Sequence, residues 1–163
     1  MRHFYTPLRK ILFVGLGLST LSINAYAMTA SQTVKVERQI RADDGSVTTI
    51  LAAPEKVVPG DKLVYTVNYL NDRDEVTEDF RLDMPIPNQL VYIEGSANVE
   101  GAVVLYSIDG GTKFLPRADL VVATQDGGTR AANAADITHI RWTLQQGVGP
   151  GEAGQVQFKG QLK

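Results

Sequence analysis

The chain has 163 residues, no cysteine, and a formal net charge of −2 from 16 Lys and Arg residues against 18 Asp and Glu residues. The lack of cysteine excludes disulfides, thiolate zinc sites, thiol nucleophiles and thiol redox chemistry. The mild acidity argues against nucleic acids and anionic lipid surfaces as partners, because both attract basic patches.

The first 27 residues have the pattern of a signal peptide. Arg2, Arg9 and Lys10 precede an apolar run at 11–23, and a small-residue cleavage signal follows at 25–27. The run is shorter than the roughly 20 residues of a transmembrane helix. We therefore predict that residues 1–27 are a cleaved signal peptide. Residues 28–163 are predicted to form a single domain without a membrane span, located in the periplasm, at the cell surface or outside the cell.

Alternation of apolar and polar side chains, which is typical of a half-buried strand, predicts three strands early in the mature chain. They lie at 34–41, 63–70 and 80–84. Pro59-Gly60-Asp61 predicts a turn before the second strand, and Pro85 and Pro87 end the third because proline removes backbone donors.

Further strands are predicted where β-branched and aromatic runs, or renewed alternation, are separated by Gly, Asn and Asp. They lie at 90–94, 103–108, 120–124, 139–144 and 155–159. Asp109-Gly110-Gly111 predicts a tight hairpin at 107–114, a segment that also partly resembles the Asp-box turn of sialidase propellers. Segments 71–79 and 125–136 look irregular, and the second is predicted to be a mobile tip or a binding loop.

Many short strands with turn residues between them, and no sustained helical stripe, predict an all-β protein. We expect an immunoglobulin-like antiparallel β-sandwich of about seven to nine strands. The aromatic residues fall on separate strands, which favours core packing over an exposed platform for sugar stacking. They are Tyr65, Tyr69, Phe80, Tyr92, Tyr106, Phe114, Trp142 and Phe158.

Several short motifs follow one another in a distinctive order. They are Pro59-Gly60-Asp61, Tyr65-Thr66-Val67, Asn71, Asp83-Met84-Pro85, Leu90, Tyr92, Gly95-Ser96, Tyr106-Ser107, Asp109-Gly110-Gly111, Trp142 and Pro150-Gly151. This order resembles the bacterial surface-protein repeat called domain of unknown function eleven. The resemblance covers about residues 32–163 and implies an immunoglobulin-like sandwich in an envelope or secreted protein, with no established enzymatic activity. It supplies no functional residues, and this chain has a single copy of the repeat.

A histidine and an acidic cluster are the candidate chemical sites of the sequence. His139, the single histidine after residue 27, has no supporting motif such as Gly-x-Ser-x-Gly, so it is predicted to face solvent or the sheet rim without a catalytic role. The densest acidic cluster contains the candidate calcium ligands Asp72, Asp74, Glu75, Glu78 and Asp79. Calcium prefers carboxylate oxygens, but the spacing does not match the helix–loop–helix calcium motif. A solvated loop is therefore the favoured interpretation.

We predict a non-catalytic structural or interaction module of the bacterial cell envelope that needs no cofactor. Its partners would be other envelope or surface proteins, which would meet either loops or an edge strand. A pilus-like or strand-exchanging assembly subunit, with 155–159 giving or receiving the pairing, is the alternative. A calcium-stabilised adhesin is the second alternative, and a carboxylate-dependent hydrolase ranks last because no catalytic constellation is visible.

Overall fold

The computed structural model describes residues 28–163, so the predicted signal peptide and its cleavage site lie outside the described residues. Ten strands form in this range: β1 (Met28–Arg41), β2 (Val47–Ala52), β3 (Lys62–Asn71), β4 (Arg81–Pro85), β5 (Leu90–Tyr92), β6 (Ala102–Ser107), β7 (Val121–Ala123), β8 (Thr129–Ala131), β9 (His139–Leu144) and β10 (Ala153–Leu162). Two single turns of 3-10 helix lie in the connections, at Arg117–Asp119 and Ala134–Asp136. Within 28–163, no helix is long and apolar enough to cross a membrane.

The strands form three antiparallel sheets. The first has the order β2-β1-β3-β10-β5, the second β4-β9-β6, and β7 pairs with β8 in a short ribbon. Alternating side chains give each of the two larger sheets one apolar face, and these faces pack together as in a β-sandwich. The all-β prediction is confirmed, with ten strands instead of seven to nine. The immunoglobulin-like topology stays a prediction.

The core between the two larger sheets is built from the alternating positions of their inner strands. Ile140 and Trp142 of β9 and Phe158 of β10 are at most 1% exposed. The ring of Tyr65 on β3 stacks on Phe158 with 5.0 Å between centroids. The expectation that the aromatic residues pack in the core is confirmed for four buried ones: Tyr92, Tyr106, Trp142 and Phe158.

A buried pair of tyrosines joins β5 of the first sheet to β6 of the second. The hydroxyl groups of Tyr92 and Tyr106 lie 3.1 Å apart and share a hydrogen bond, and the Tyr92 hydroxyl also accepts the backbone N–H of Ala97. Burial raises the pKa of Tyr106 far above its ordinary value. Tyr106 therefore stays neutral, and the hydrogen-bonded pair closes this side of the sandwich.

Two strands were missed by the sequence pattern. β2 is exposed along both faces except for Ala52, so it lacks the alternation that marks a half-buried strand. β8 lies inside segment 125–136, which the sequence predicted to be irregular. That prediction was wrong, because the segment folds back on β7 and ends in the 3-10 turn at Ala134–Asp136. The chain does reverse at the predicted hairpin, but the hairpin is not tight: Tyr106 and Leu115 exchange two backbone hydrogen bonds across a loop formed by residues 107–114.

An ion pair within segment 125–136 makes the free energy of unfolding depend on pH. Arg130 donates to both carboxylate oxygens of Asp136, at 2.6 and 2.8 Å, and the Asn133 N–H donates at 2.7 Å. These bonds, that of Arg130 first, lower the pKa of Asp136 from 3.8 to about 2. Because the folded-state pKa is the lower one, the stabilisation is complete above about pH 4 and is lost as the pH falls towards 2.

We expect Asp136→Asn to lower the free energy of unfolding at neutral pH by about 1 kcal/mol or less, since both partners are partly exposed. Urea unfolding from about pH 7 down to about pH 2 should show the difference from the wild type shrinking as the wild-type carboxylate becomes protonated. Arg130→Gln, which leaves the Asn133 bond to Asp136 in place, is the matched control and should keep part of the pH dependence. A difference that is constant over this range would contradict the assignment.

Candidate interaction site

The first half of β1 has a hydrogen-bonding partner on one side only. β3 pairs with β1 from Met28 to Val36, whereas β2 pairs with β1 from Val36 to Arg41. Pro54 follows β2 closely and prevents it from continuing along β1, because proline lacks a backbone donor. In the described part of the chain, no strand therefore lies beside residues 28–35 on the side away from β3. We call this vacant strand position the empty row.

The direction of the backbone groups follows from the register. The Ala42 N–H donates to the Ser46 carbonyl in the β1–β2 hairpin, which makes this a hydrogen-bonded pair. In antiparallel strands such pairs alternate with pairs whose N–H and C=O groups point outward. Along β1, the N–H and C=O groups of Ala30, Gln32 and Val34 consequently face the empty row.

A groove lies between this row and β4, the edge strand of the second sheet. It has a volume of about 280 Å³ and is lined by Ala30, Ser31, Gln32, Val67, Leu82, Asp83, Met84 and Pro85. Val67 on β3 and Met84 on β4 are 8% and 5% exposed, so the floor is apolar and already buried. A strand that paired with β1 here would place every second side chain over this floor.

The two edges that flank the groove differ in their protection against strand pairing. The Leu144 N–H donates to the Phe80 carbonyl, and the alternation then turns the backbone groups of Arg81, Asp83 and Pro85 towards the open edge of β4. Two charged residues and a proline at these positions oppose the addition of another strand. The corresponding positions of β1 are uncharged, so β1 is the edge available for pairing.

Asp83, the acidic residue of β4, forms an ion pair with an arginine of the neighbouring strand. Arg141 on β9 donates from Nε and Nη2 to the two carboxylate oxygens of Asp83, both at 2.6 Å, and this lowers the pKa of Asp83. The same guanidinium lies 3.8 Å from the ring centroid of Phe114. The groove therefore offers backbone hydrogen bonds and apolar contacts more than charge recognition.

His139 occupies the position predicted for it at the rim of the sheet. It begins β9 and is half-buried. Its ring lies close to Gly111, since a Cβ added to this glycine would be 3.2 Å from the Cδ2 of the ring. Its Nδ1 lies 3.2 Å from the hydroxyl of Thr138, the one hydrogen-bonding contact of this ring within residues 28–163. This contact does not provide the carboxylate–imidazole–nucleophile geometry of general-base catalysis.

The acidic residues proposed as calcium ligands lie on the loop between β3 and β4. Asp72, Asp74, Glu75, Glu78 and Asp79 are all exposed. Arg73 donates to Glu75 at 2.5 Å, and the Thr29 hydroxyl donates to Asp72. Within residues 28–163, no three His, Cys, Asp or Glu side chains converge as a metal-binding group. Calcium binding by this loop stays an alternative to the favoured solvated loop.

The loop is anchored by a buried amide that sequence analysis did not single out as a site. Asn71 at the end of β3 is fully buried, and its Nδ2 donates to the carbonyls of Glu75 and Val148 at 2.9 and 2.7 Å. Its Oδ1 accepts the Arg73 N–H at 3.0 Å. These bonds satisfy the polar atoms of the buried amide, so Asn71 has a structural role.

The residues of the groove were also missed from sequence. The predicted first strand began at residue 34, whereas β1 begins at Met28. The alternate positions Met28, Ala30 and Gln32 are weakly apolar or polar, so they carry little periodic signal. No family model, curated protein or solved structure matches the chain. The resemblance to domain of unknown function eleven stays a prediction.

Proposed function

We propose that the chain is a non-catalytic, exported module of the bacterial cell envelope that binds an extended segment of a partner protein by β-strand addition. The observation that carries the proposal is the empty row beside residues 28–35 of β1, next to the groove floored by Val67 and Met84. The backbone groups of β1 supply affinity, and the groove selects small apolar side chains at alternate positions of the partner.

The buried groove floor favours an interaction module over a subunit that requires a donated strand. Val67 and Met84 are already at least nine-tenths buried without an added strand. An immunoglobulin-like subunit whose core lacks a strand would expose such residues widely. The segment 155–159 lies within β10, an inner strand between β3 and β5, and donating it would remove an inner strand of the first sheet.

A site-specific photocrosslinker tests this proposal in the intact envelope of the host cell. A photoreactive residue at Gln32, whose backbone faces the empty row, should crosslink to a partner, and mass spectrometry should locate the adduct in an extended segment with alternating apolar residues. The matched control carries the photoreactive residue in place of Val121, which is 55% exposed on the β7–β8 ribbon. The recovered chain should begin at Met28 if the segment before it is removed on export.

A second variant distinguishes pairing with β1 from mere proximity. In Gln32→Pro the lost N–H points into the empty row, so the β1–β3 hydrogen bonds remain and the fold should persist. Crosslinking from Ala30 should then fall about tenfold, equivalent to losing about 1.4 kcal/mol of binding free energy. Equal adducts from positions 32 and 121, or unchanged crosslinking in the proline variant, would rule out strand addition here.

A further inference from the structure

Exposed apolar side chains are frequent in one stretch of the chain. Among residues 28–163, six of the ten exposed large hydrophobic residues lie between positions 40 and 58, with exposed fractions from 37% to 60%. These six are Ile40, Val47, Ile50, Leu51, Val57 and Val58. Val47 and Leu51 lie on the outer face of the first sheet, whereas Ile40 and Ile50 lie on the face of the buried Val36. The edge of the sheet is therefore apolar on both faces, which is unusual for the surface of a monomer.

The middle of this stretch is β2, one of the two edge strands of the first sheet. The alternation that begins at the Ala42–Ser46 hydrogen bond turns the N–H and C=O groups of Val47, Thr49 and Leu51 away from β1. β2 contains no charged residue and no proline. It therefore lacks the charged residues and prolines that protect an edge strand from further pairing. The open edge of β4 has both.

We propose that β2 pairs with β2 of a second copy of this chain, antiparallel and about a two-fold axis at Thr49. The outward-facing backbone groups are symmetric about this residue, so the axis sets Val47 opposite Leu51 of the second copy and Leu51 opposite Val47. Val47 and Leu51 are 50% and 48% exposed and lie on the same face of β2. Pairing joins the two five-stranded sheets into one and covers these side chains in both copies.

The centre of the proposed contact carries no charge. The hairpin turn before β2 contains Asp43 and Asp44, and Glu55 and Lys56 follow its other end. About an axis at Thr49, Asp43 lies opposite Glu55 of the other copy and Lys56 is the next residue, so attraction and repulsion at the two ends largely offset each other. The uncharged strand brings no like charges together at the axis, which permits the contact there.

The size of the contact sets the expected affinity. Six paired residues span about 20 Å at roughly 3.4 Å each. Such a strip covers less than the roughly 800 Å² per partner of a standard interface. We therefore expect a dissociation constant in the range of about 1 to about 100 µM. This association uses β2, whereas the proposed function uses the row beside residues 28–35, so the two are independent.

Charged substitutions at Thr49, the residue on the axis, test the proposal in the full mature chain. Sedimentation velocity over a range of concentrations should show reversible dimers for the wild type. Thr49 is exposed, so Thr49→Lys and Thr49→Glu should both fold, and each should weaken dimerisation by about tenfold or more because like charges meet at the axis. An equal mixture of the two variants should restore dimers, since lysine then faces glutamate.

Val121→Lys is the matched control, because it adds the same charge at an exposed valine on the β7–β8 ribbon. It should leave the dimer unchanged. A wild type that stays monomeric up to about 500 µM, well above the expected dissociation constant, would overturn the proposal. So would dimers that persist in Thr49→Lys, or a mixture of the two Thr49 variants that does not associate.

Discussion

Trp142→Ala should lower the free energy of unfolding by about 3 to 5 kcal/mol, the largest effect we expect from a single substitution. Trp142 on β9 is 1% exposed at the centre of the core. Its indole Nε1–H donates to the Ala97 carbonyl at 2.8 Å. Removing the side chain therefore leaves both a large cavity and a buried acceptor without its donor, and each is destabilising.

Urea unfolding followed by circular dichroism measures this difference, since the variant loses the only tryptophan. Trp142→Phe separates the two causes, because it retains most of the packing but removes the hydrogen bond. Its loss should be smaller than that of the alanine variant. Val103→Ala, at a 43% exposed position of the same sheet, should change stability by no more than about 0.5 kcal/mol. Equal losses at positions 103 and 142 would contradict this account of the core.

Gly154→Ala should destabilise the protein by about 1 to 3 kcal/mol, although it adds only one methyl group. Gly154 on β10 pairs with Tyr69 on β3, and the tyrosine ring lies directly over the glycine. A Cβ at this position would overlap the hydroxyl and Cζ of Tyr69 and lie 2.9 Å from its Cε2. The ring also packs against Phe80, with 5.1 Å between centroids, so it cannot shift without losing that contact.

A double-mutant cycle with Tyr69→Ala tests whether this overlap is the cause. In the Tyr69→Ala background, Gly154→Ala should be neutral or slightly stabilising, because alanine restricts the unfolded chain more than glycine does. The coupling energy from urea unfolding should therefore be at least about 1 kcal/mol. Additive effects of the two substitutions would show that the destabilisation has another origin.

Half-buried strands were predictable because one buried face and one exposed face produce a local alternation of apolar and polar side chains. β3 and β9 each have one face on the core and one outside it, and their predicted bounds agree with the structure within one or two residues. The first half of β1 has no such pattern, since Ala30 and Gln32 are exposed. Its extended conformation is set by the register with β3, a contact between residues far apart in sequence.

The candidate site was out of reach of sequence analysis for a related reason. A groove between Gln32 and Met84 exists only because β1 and β4 become edges of two sheets that face each other. The pattern predicted that a partner would meet loops or an edge strand, without identifying the edge. Segment 125–136 was misjudged as irregular because β8 is three residues long and wholly exposed, too short for a periodic signal.

The sequence by itself determined the all-β class, most of the strands and the residues that would be buried, because these depend on side-chain alternation along single segments. Only the tertiary structure decided which strands lie at the edges, where β1 lacks a partner and how β2 exposes its apolar side chains. The physical reason is that a strand is an edge when no other strand forms hydrogen bonds with its backbone on one side. Strand order, which determines this, comes from packing between distant segments.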